Sequence, residues 1–361
     1  MNPSPLKTIG VDLHKTSLTA TVLDPTGTVL ERKDLPTKCR RQIAAYFASH
    51  GPDVQVAVES VGFYHWFWEA VKPKVRRLHL ADPTGVRACA GRRTKTDRND
   101  SLLLANLLRE NRLPMAYVPE EPIRALRELC RHRHRLARQL ALARRQLRWL
   151  GLKNNLPGPA TFTSDRAQKW LLSQETRLNS VHRLSGRQFV DQITTLERQL
   201  CDVESVLKET VAAHADLAPT LALLQSVPGI GFITALTILC EGGDLTRFDC
   251  IDQLSAYAGL CPRVTQSGES AHHGHISKQG PPVLRWVLQQ AAWVAIRCDP
   301  QVRRIHARIA RRAGNKKAAT ALARKLLSYA WSVVRRGQPF VWPNPDTQPG
   351  PTPVPVWSYD I

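Results

Sequence analysis

Four carboxylates stand where they could hold a divalent metal ion. Asp12 lies inside the apolar run of residues 9–15, and Glu59 ends another β-branched run. Asp97 and Asp100 stand three residues apart at the start of a helical pattern. An acid within an apolar strand is costly unless it is paired, protonated or bound to a cation. Clustered carboxylates suit Mg²⁺ or Mn²⁺, and a pair of such ions can clamp a phosphodiester in line, so these residues predict phosphoryl transfer.

Taken singly, each carboxylate also has a plain structural interpretation. Asp97 can be only a helix cap, and Glu59 only a surface charge. Asp12 is the hardest to explain in this way, because its strand neighbours are apolar. The metal site is therefore predicted from the four residues together.

Strands and helices alternate through the first part of the chain, which predicts an α/β domain with a mixed sheet. Residues 7–30 predict a hairpin, with a turn at residues 24–27 and Asp12 in the first strand. The further predicted elements are helices at residues 40–49 and 64–71 and strands at residues 54–58 and 75–81.

Asp97 and Asp100 belong to a predicted helix that continues through the apolar residues 102–108. Thr96 or Asp97 can cap it, and residues three apart share one helical face. Two like charges side by side destabilise a helix unless something positive lies between them.

Two long helices are predicted in the middle of the chain. Residues 122–153 combine an apolar stripe with a strongly basic face. A Pro- and Gly-rich interruption at residues 154–163 precedes a second helix at residues 186–213, which is close to a heptad seam. An antiparallel or an intermolecular coiled coil would satisfy both patterns.

A mainly helical domain is predicted to follow. Residues 227–231 form a Gly-rich turn that opens a helix, as in a helix-hairpin-helix whose amides hold a phosphate, although a plain connection is about as compatible. Residues 263–275 predict a polar loop. The loop contains three histidines, His272, His273 and His275. No cysteine or carboxylate is suitably spaced to bind a metal with them, so phosphate contacts or exposure to solvent are favoured over a metal site.

Two further helices are predicted at residues 282–296 and 318–334. Between Arg303 and Arg336 the chain has eleven Lys and Arg residues and no acid, which indicates a surface for a polyanion. From residue 338 onwards prolines recur, so the end of the chain is predicted to be an extended or disordered tail.

The whole chain is strongly basic. Its 361 residues include 51 Lys and Arg against 30 Asp and Glu, a formal net charge of +21. Such an excess points to a polyanionic partner, with DNA or RNA first. The hydrophobic content of 43% is ordinary for a folded protein.

The eight cysteines contain no Cys-x-x-Cys pair, so neither a zinc cluster nor a disulfide framework is predicted. We expect them to be reduced and mostly buried. No apolar run approaches the roughly 20 residues that span a bilayer, and no leading signal segment is found. We therefore expect a cytoplasmic protein without a membrane partner.

The sequence around the carboxylates resembles a known family. Asp12 in Gly-Val-Asp-Leu-His-Lys, Glu59 in Val-Glu-Ser-Val-Gly, and Asp97 and Asp100 in Lys-Thr-Asp-Arg-Asn-Asp look like one four-residue set. This set resembles the Asp-Glu-Asp-Asp set of the bridge-RNA-guided insertion-sequence transposases, relatives of the Piv-type DNA invertases. The resemblance covers residues 7–340 in order and continues in residues 226–231, 258–263, 267–268 and 277–280 and in Leu284-Arg285.

The resemblance implies an α/β plus α chain. Its N-terminal domain would be RuvC-like, an RNase H-like fold, followed by a helical coiled-coil middle and a mainly helical C-terminal transposase domain. The domain boundaries we predict are 1–118 for the DEDD domain, 119–215 for the basic helical region, 216–340 for the C-terminal domain and 341–361 for the Pro-rich tail.

The resemblance also implies a composite active site, in which metal-bound carboxylates of the first domain cooperate with a serine of the second. The matching serine is Ser267. A serine hydroxyl needs activation at neutral pH, which a metal or a base supplies. From the residues alone, a structural role in the loop is the simpler interpretation of Ser267, and Ser270 and Thr265 are local rivals.

Members of this family bind a structured non-coding RNA whose loops pair with donor and target DNA, so the resemblance implies DNA and guide RNA as partners. The protein would then hold backbone and shape while base pairing supplies sequence. A composite site also suggests a homo-oligomer, a dimer or a tetramer. The basic residues that we predict to contact nucleic acid are Arg92, Arg93, Lys95, Arg263, Lys278, Arg285, Lys316 and Lys317.

The leading hypothesis is a DNA transposase, or recombinase, that uses Mg²⁺ or Mn²⁺ and forms a covalent phosphoserine at Ser267. One rival is a metal-dependent Holliday-junction-type nuclease in which water attacks. The other is a non-catalytic ribonucleoprotein that only binds RNA or DNA.

Overall fold

The computed structural model describes residues 7–90, 96–267 and 270–342, and for residues 264–273 it describes no side chains. The chain divides into two compact units, Met1–Val118 and Pro119–Ile361.

The first unit is built on a five-stranded mixed sheet in the order β3-β2-β1-β4-β5. Its strands are β1 (Lys7–Leu13), β2 (Ser17–Leu23), β3 (Val29–Pro36), β4 (Val54–Glu59) and β5 (Arg77–Ala81). The first three strands form an antiparallel meander, whereas β4 and β5 run parallel to β1. This order is that of an RNase H-like fold, as the resemblance implied.

Helices cover the sheet on both faces, which is why β1 is buried on both of its sides. They are α1 (Arg40–Ser49), α2 (His65–Val71), α3 (Pro83–Ala90) and α4 (Asp97–Arg109). Phe47 of α1 and Phe67 of α2 are fully buried in one core, and Leu104 of α4 lies in another. Helix α1 matches its predicted range, and α2 begins one residue later than predicted.

The second unit contains two long helices, α5 (Ile123–Lys153) and α7 (Ser180–Ala212), with the short α6 (Ser164–Ser173) between them in the chain. The long helices pack antiparallel, and two ion pairs join them. The pairs are Arg133 with Glu204 at 2.6 Å and Arg144 with Glu197 at 2.5 Å. The sequence predicts both long helices, but α7 begins six residues earlier than predicted.

The rest of the second unit is mainly helical. Its elements are α8 (Ala218–Gln225), α9 (Phe232–Gly242), α10 (Ile251–Tyr257), β6 (Pro262–Ser267), β7 (Ser270–Ile276), α11 (Pro282–Cys298), α12 (Pro300–Ala313) and α13 (Asn315–Arg336). Leu236, Leu288 and Leu326 of three of these helices are fully buried in one core.

The structure corrects the polar loop predicted for residues 263–275, because β6 and β7 pair antiparallel there. Val264 and Thr265 are β-branched residues that favour a strand. Their polar neighbours hide this preference in the sequence.

All eight cysteines are free thiols, but only Cys130 and Cys240 are buried. The expectation that most would be buried is therefore wrong; several, such as Cys201 on α7, lie on exposed helical faces.

Within the part of the chain that the structure describes, no helix has both the length and the apolar character needed to cross a membrane. The start of the predicted tail packs on the second unit, where the rings of Phe340 and Trp342 contact Tyr329. Residues 343–361 of that tail lie outside the described residues.

Candidate metal centre and nucleic-acid surface

Asp12 and Glu59 lie on the sheet face that is covered by α4. Side chains alternate between the two faces of a strand. A Cβ added to Gly10 would lie 2.5 Å from the backbone nitrogen of Ala105, so Gly10 faces α4. Asp12, two residues later, therefore faces α4 as well. Ala57 belongs to the core that includes α4, which places Glu59, two residues later, on this same face.

The two carboxylates also come from one edge of the sheet. Strands β1 and β4 are parallel, with Val11 opposite Val58. Asp12 and Glu59 are the next residues of each strand. Asp12 is buried, with 8% of the residue exposed, whereas Glu59 is half-buried.

The first turn of α4 supplies the other two carboxylates, Asp97 and Asp100. The side chain of Thr96 caps the helix, its Oγ1 accepting a hydrogen bond from the backbone nitrogen of Asn99 at 3.3 Å. Of the two predicted candidates for the cap, Thr96 and Asp97, the structure shows Thr96. The positive end of a helix favours negative charge, so α4 offsets part of the repulsion between its two acids.

His14 lies between two of these carboxylates. Its Nε2 lies 3.2 Å from Oδ2 of Asp12 and 3.3 Å from Oδ1 of Asp97. The ligand atoms of all three residues lie within 4.8 Å of one another. His14 is not among the residues that we predict from the sequence for the site. Its position two residues after Asp12, which continues the same alternation, is the signal that could have found it.

The carboxylates act on one another electrostatically. Burial is the largest effect on Asp12 and raises the pKa of its carboxyl above the ordinary 3.8. His14 opposes this rise in pKa, whereas the nearby charges of Asp97, Asp100 and Glu59 add to it. The structure thus brings the four predicted carboxylates into one negative site.

The carboxyl oxygens of Asp12 and Asp97 lie close together at a partly desolvated position, and oxygen ligands of this kind fit a hard divalent cation. Among the described residues, no lysine or arginine forms an ion pair with any of the four carboxylates.

Ser267 is the last residue of β6 and stands opposite Ser270 in the hairpin register. The side chains of Ser267, its two rivals Ser270 and Thr265, and the histidines His272 and His273 lie outside the described residues. His275 is exposed on β7.

The predicted nucleic-acid contacts fall into three groups. Arg92, Arg93 and Lys95 lie outside the described residues. Exposed side chains form the second group: Arg263, Lys278, Lys316 and Lys317. Lys316 and Lys317 lie in the first turn of α13, where the positive end of the helix adds to their charge.

Arg285 forms the third group by itself, because its guanidinium is bonded to the protein. Nη1 donates to the carbonyl oxygens of Ala258 at 3.2 Å, Gln279 at 3.2 Å and Gly280 at 2.9 Å. These bonds hold the segment before α11. A phosphate contact by Arg285 stays a prediction.

The predicted Gly-rich turn joins α8 to α9. Gly229 has a φ of +81°, which favours glycine. A Cβ at this position would lie 2.5 Å from the carbonyl oxygen of Ala291, so the turn packs closely against α11. This contact gives the glycine a packing role, and phosphate binding by the turn stays a prediction.

Helix α12, which the sequence analysis did not predict, carries an exposed basic face. Arg304, Arg308 and Arg311 are exposed at helical spacing, on the side opposite the buried Val302 and His306. Such a face suits the phosphates of a nucleic acid.

Comparisons with known proteins agree with these features. Residues 9–150 match a family model described as "Transposase", that of the DEDD transposases of IS110 elements. Residues 221–307 match the model described as "Transposase IS116/IS110/IS902 family".

Three relatives illustrate the similarity. A Sinorhizobium fredii protein, y4qE, named as a transposase, is 32% identical over 56% of this chain, but the match spans only 48% of that relative. The pilin gene-inverting protein of Moraxella bovis is 27% identical over 80% of this chain and 82% of its own. The transposase for insertion sequence element IS1111A of Coxiella burnetii is 26% identical over 93% of this chain and 91% of its own.

Among solved structures, RuvC of T. thermophilus in complex with a Holliday junction substrate aligns with 31% of this chain and 99% of its own, at 15% identity and a TM-score of 0.26. The two family models match successive segments of the chain, and relatives align with most of its length. In both matched segments the chain is therefore similar to transposases of the IS110/IS116 family, and residues 9–150 match the DEDD domain of those transposases.

Proposed function

We propose that this protein is a transposase that cuts and rejoins DNA through a covalent phosphoserine at Ser267, with a divalent metal held by Asp12, Glu59, Asp97 and Asp100. The observation that carries the proposal is the closeness of Asp12 on β1 to Asp97 on α4, together with the electrostatic effect of Asp97, Asp100 and Glu59 on the buried Asp12. Relatives named as transposases and as a pilin gene-inverting protein support DNA as the substrate.

The carboxylates would bind Mg²⁺ or Mn²⁺ through their oxygens. When bound, the metal supplies Lewis-acid stabilisation of the charge on the phosphoryl oxygens. Asp12 would be the most strongly oriented ligand, because it is buried within β1. Asp97, which is exposed in the first turn of α4, would be open to the DNA backbone.

In the proposed reaction, the Oγ of Ser267 attacks the phosphorus of a DNA phosphodiester. The serine Oγ–P bond forms, the bond from phosphorus to one deoxyribose oxygen breaks, and the serine proton passes to a base while the leaving oxygen takes up a proton. The hydroxyl of another strand then attacks the same phosphorus and releases the serine. The energy of the first bond is conserved in the phosphoserine, so no ATP is consumed.

Structured guide RNA is the second proposed partner. The net charge of +21 and the exposed arginines of α12 support binding to a phosphate backbone, and no motif that reads base edges stands out in the sequence. In this proposal sequence recognition comes from base pairing, with the protein holding the backbone.

A homo-oligomer, a dimer or a tetramer, is part of the proposal. Large apolar side chains are exposed at the end of the second unit where α5 ends and α7 begins. They are Trp149, Leu152, Leu172, Val181 and Leu184. A cluster of this kind is typical of a protein interface, because single exposed apolar residues are common but grouped ones are not.

The covalent step is tested by trapping. Purified protein is incubated with DNA that carries the two ends of its element and a target, with Mg²⁺, and is denatured before electrophoresis. We expect a protein–DNA adduct in the wild type that is absent from Ser267→Ala. Ser270→Ala and Thr265→Val serve as matched controls and should still form it. An adduct that persists in Ser267→Ala would refute the assignment of the nucleophile.

The products separate the proposal from its rivals. Rejoined recombinants support strand exchange, whereas free ends without an adduct would indicate a hydrolytic junction nuclease. Binding without any divalent-dependent cleavage would indicate a ribonucleoprotein that lacks catalysis. The RNA partner is tested by sequencing the RNA that copurifies with the protein; a pool with no enriched structured species would count against guidance.

The metal site is tested with Glu59→Gln, Asp97→Asn and Asp100→Asn. Residues that only orient a metal ligand are worth about 10- to 100-fold, so the loss of a ligand should lower cleavage by at least about 100-fold. Nucleic-acid binding should be retained. Asp53→Asn, which removes a carboxylate that is 76% exposed, should leave cleavage unchanged.

A further inference from the structure

His14 is held at the metal site by the backbone. It follows the last residue of β1, and its backbone nitrogen donates a hydrogen bond to the carbonyl oxygen of Ser17 at 2.9 Å. The short turn from β1 to β2 therefore fixes the backbone position from which the His14 side chain extends. The ring reaches the two carboxylates described above, at 3.2 Å from Asp12 and 3.3 Å from Asp97.

We propose that His14 is a nitrogen ligand of the metal, added to the four carboxylates, and that it makes the site prefer Mn²⁺ over Mg²⁺. The proposal rests on the metal site of the proposed function. It adds a residue and a metal preference that the carboxylates alone do not give.

The distances fit an octahedral metal site. Two ligand atoms each about 2.1 Å from a metal lie about 3.0 Å apart when they are adjacent and about 4.2 Å apart when they are opposite. The separations from His14 Nε2 to the oxygens of Asp12 and Asp97 are close to the first value. The 4.8 Å limit within which all three ligand atoms fall leaves room for adjacent positions around one ion.

The surroundings of the imidazole favour this role. In the tautomer that carries its proton on Nδ1, the lone pair of Nε2 is directed towards the carboxylates. The side chain is 48% exposed, so the position is open to solvent and to DNA.

Metal preference follows from the donor atoms. Mg²⁺ favours an all-oxygen shell and retains water, whereas imidazole suits transition metals. Mn²⁺ accepts carboxylates and imidazole together. A site with one nitrogen should therefore bind Mn²⁺ more tightly than Mg²⁺ relative to the same site without it.

The test is the electron spin-echo envelope modulation of Mn²⁺ bound to the full-length protein, without DNA. Modulation from one directly bonded nitrogen is expected in the wild type, and labelling of histidine with ¹⁵N should change its frequencies. His14→Asn should lose the modulation, whereas the matched control His132→Asn, at an exposed position of α5, should keep it. Competition with Mg²⁺ should show the Mn²⁺ preference reduced by about 10-fold or more in His14→Asn.

Two failures are distinguishable. Bound Mn²⁺ that is lost in Asp12→Asn but shows no nitrogen modulation in the wild type would refute the role of His14 and leave the proposed metal site intact. Mn²⁺ binding that does not depend on Asp12 would refute the metal site itself. Because the wild-type spectrum decides the first point, the test does not depend on how well the variants fold.

Discussion

A Cβ added to Gly10 would lie only 2.0 Å from the backbone carbonyl oxygen of Ser101. Strand β1 and helix α4 are therefore in direct backbone contact at this point. Asp12 comes two residues after Gly10, and Asp97 comes one helical turn before Ser101. The contact between glycine and helix thus sets the separation of the two carboxylates.

Gly10→Ala is expected to separate β1 from α4 and to damage the site. Overpacking of this kind costs about 1–3 kcal/mol, and a contact with rigid backbone is at the upper end. We expect a lower free energy of unfolding in urea, and a weaker affinity for Mn²⁺ in calorimetry. Gly62→Ala is the matched control, because nothing lies within 4 Å of its added Cβ. Unchanged Mn²⁺ affinity in Gly10→Ala would contradict the argument.

Asp12→Asn is expected to stabilise the metal-free protein at neutral pH. Burial, with the neighbouring carboxylates, raises the pKa of Asp12 above 3.8 in the folded state. A carboxyl whose pKa is raised on folding contributes stability that is fully present below its pKa in the unfolded state. That stability is lost as the pH rises through its pKa in the folded state. The wild type therefore loses stability over that window, and Asn, which does not ionise, avoids the loss.

The measurement is urea unfolding in EDTA between pH 4 and pH 8. The advantage of Asp12→Asn should grow with pH and vanish at the acid end. Added Mn²⁺ should reverse the order, since it binds only the folded wild type. Asp53→Asn, which removes a carboxylate that is 76% exposed, serves as the matched control. An Asp12→Asn protein that is less stable in EDTA at every pH would contradict the electrostatic argument.

The parts of the site that come from local sequence could be predicted. An acid in an apolar strand stands out at Asp12, and three-residue spacing places Asp97 and Asp100 on one helical face. The cap at Thr96 was confirmed for the same reason, since it depends only on the next few residues.

Other parts depend on contacts between distant segments, which no local pattern contains. The closeness of His14 to Asp97 requires that α4 pack on β1, more than 80 residues away in sequence. Strands β6 and β7 were missed because polar residues fill both of them. Helix α12 was not predicted because its buried face is narrow, with Val302 and His306, and arginines occupy many of its other positions.

Arg131→Met is expected to destabilise the second unit. Arg131 donates from Nε to Oε1 of Glu241 at 2.8 Å and from Nη2 to Oε2 at 2.9 Å. The Glu241 side chain is 1% exposed, so the loss of Arg131 leaves a buried charge without this partner. Removal of one partner from a buried pair costs about 3–5 kcal/mol. Urea unfolding measures the difference.

Two further variants test the cause. Arg131→Met with Glu241→Met should recover much of the lost stability, because neither charge is then buried alone. Arg76→Met is the exposed control. Its partner Asp53 is 76% exposed, and such pairs contribute less than about 1 kcal/mol. Equal losses of unfolding free energy in Arg131→Met and Arg76→Met would show that the burial of Glu241 is not the reason for the destabilisation.

The basic face of α12 should contribute to nucleic-acid affinity through phosphate contacts. Arg304 and Arg308 lie four residues apart on this face, and α12 and α13 contain no acid. Each contact with a phosphate of duplex DNA adds about 0.9 to the slope of log affinity against log salt. Arg304→Gln with Arg308→Gln should therefore weaken binding and reduce that slope by about 1.8.

The matched control removes two other arginines of the same unit, with Arg187→Gln and Arg198→Gln on α7. These arginines already pair with Glu175 and Asp202, so their charge is partly neutralised within the protein. Both double variants lose the same net charge. If binding depended only on total charge, the two slopes would fall equally; a larger fall for the α12 variant, in a titration across salt concentrations, is what a direct phosphate contact requires.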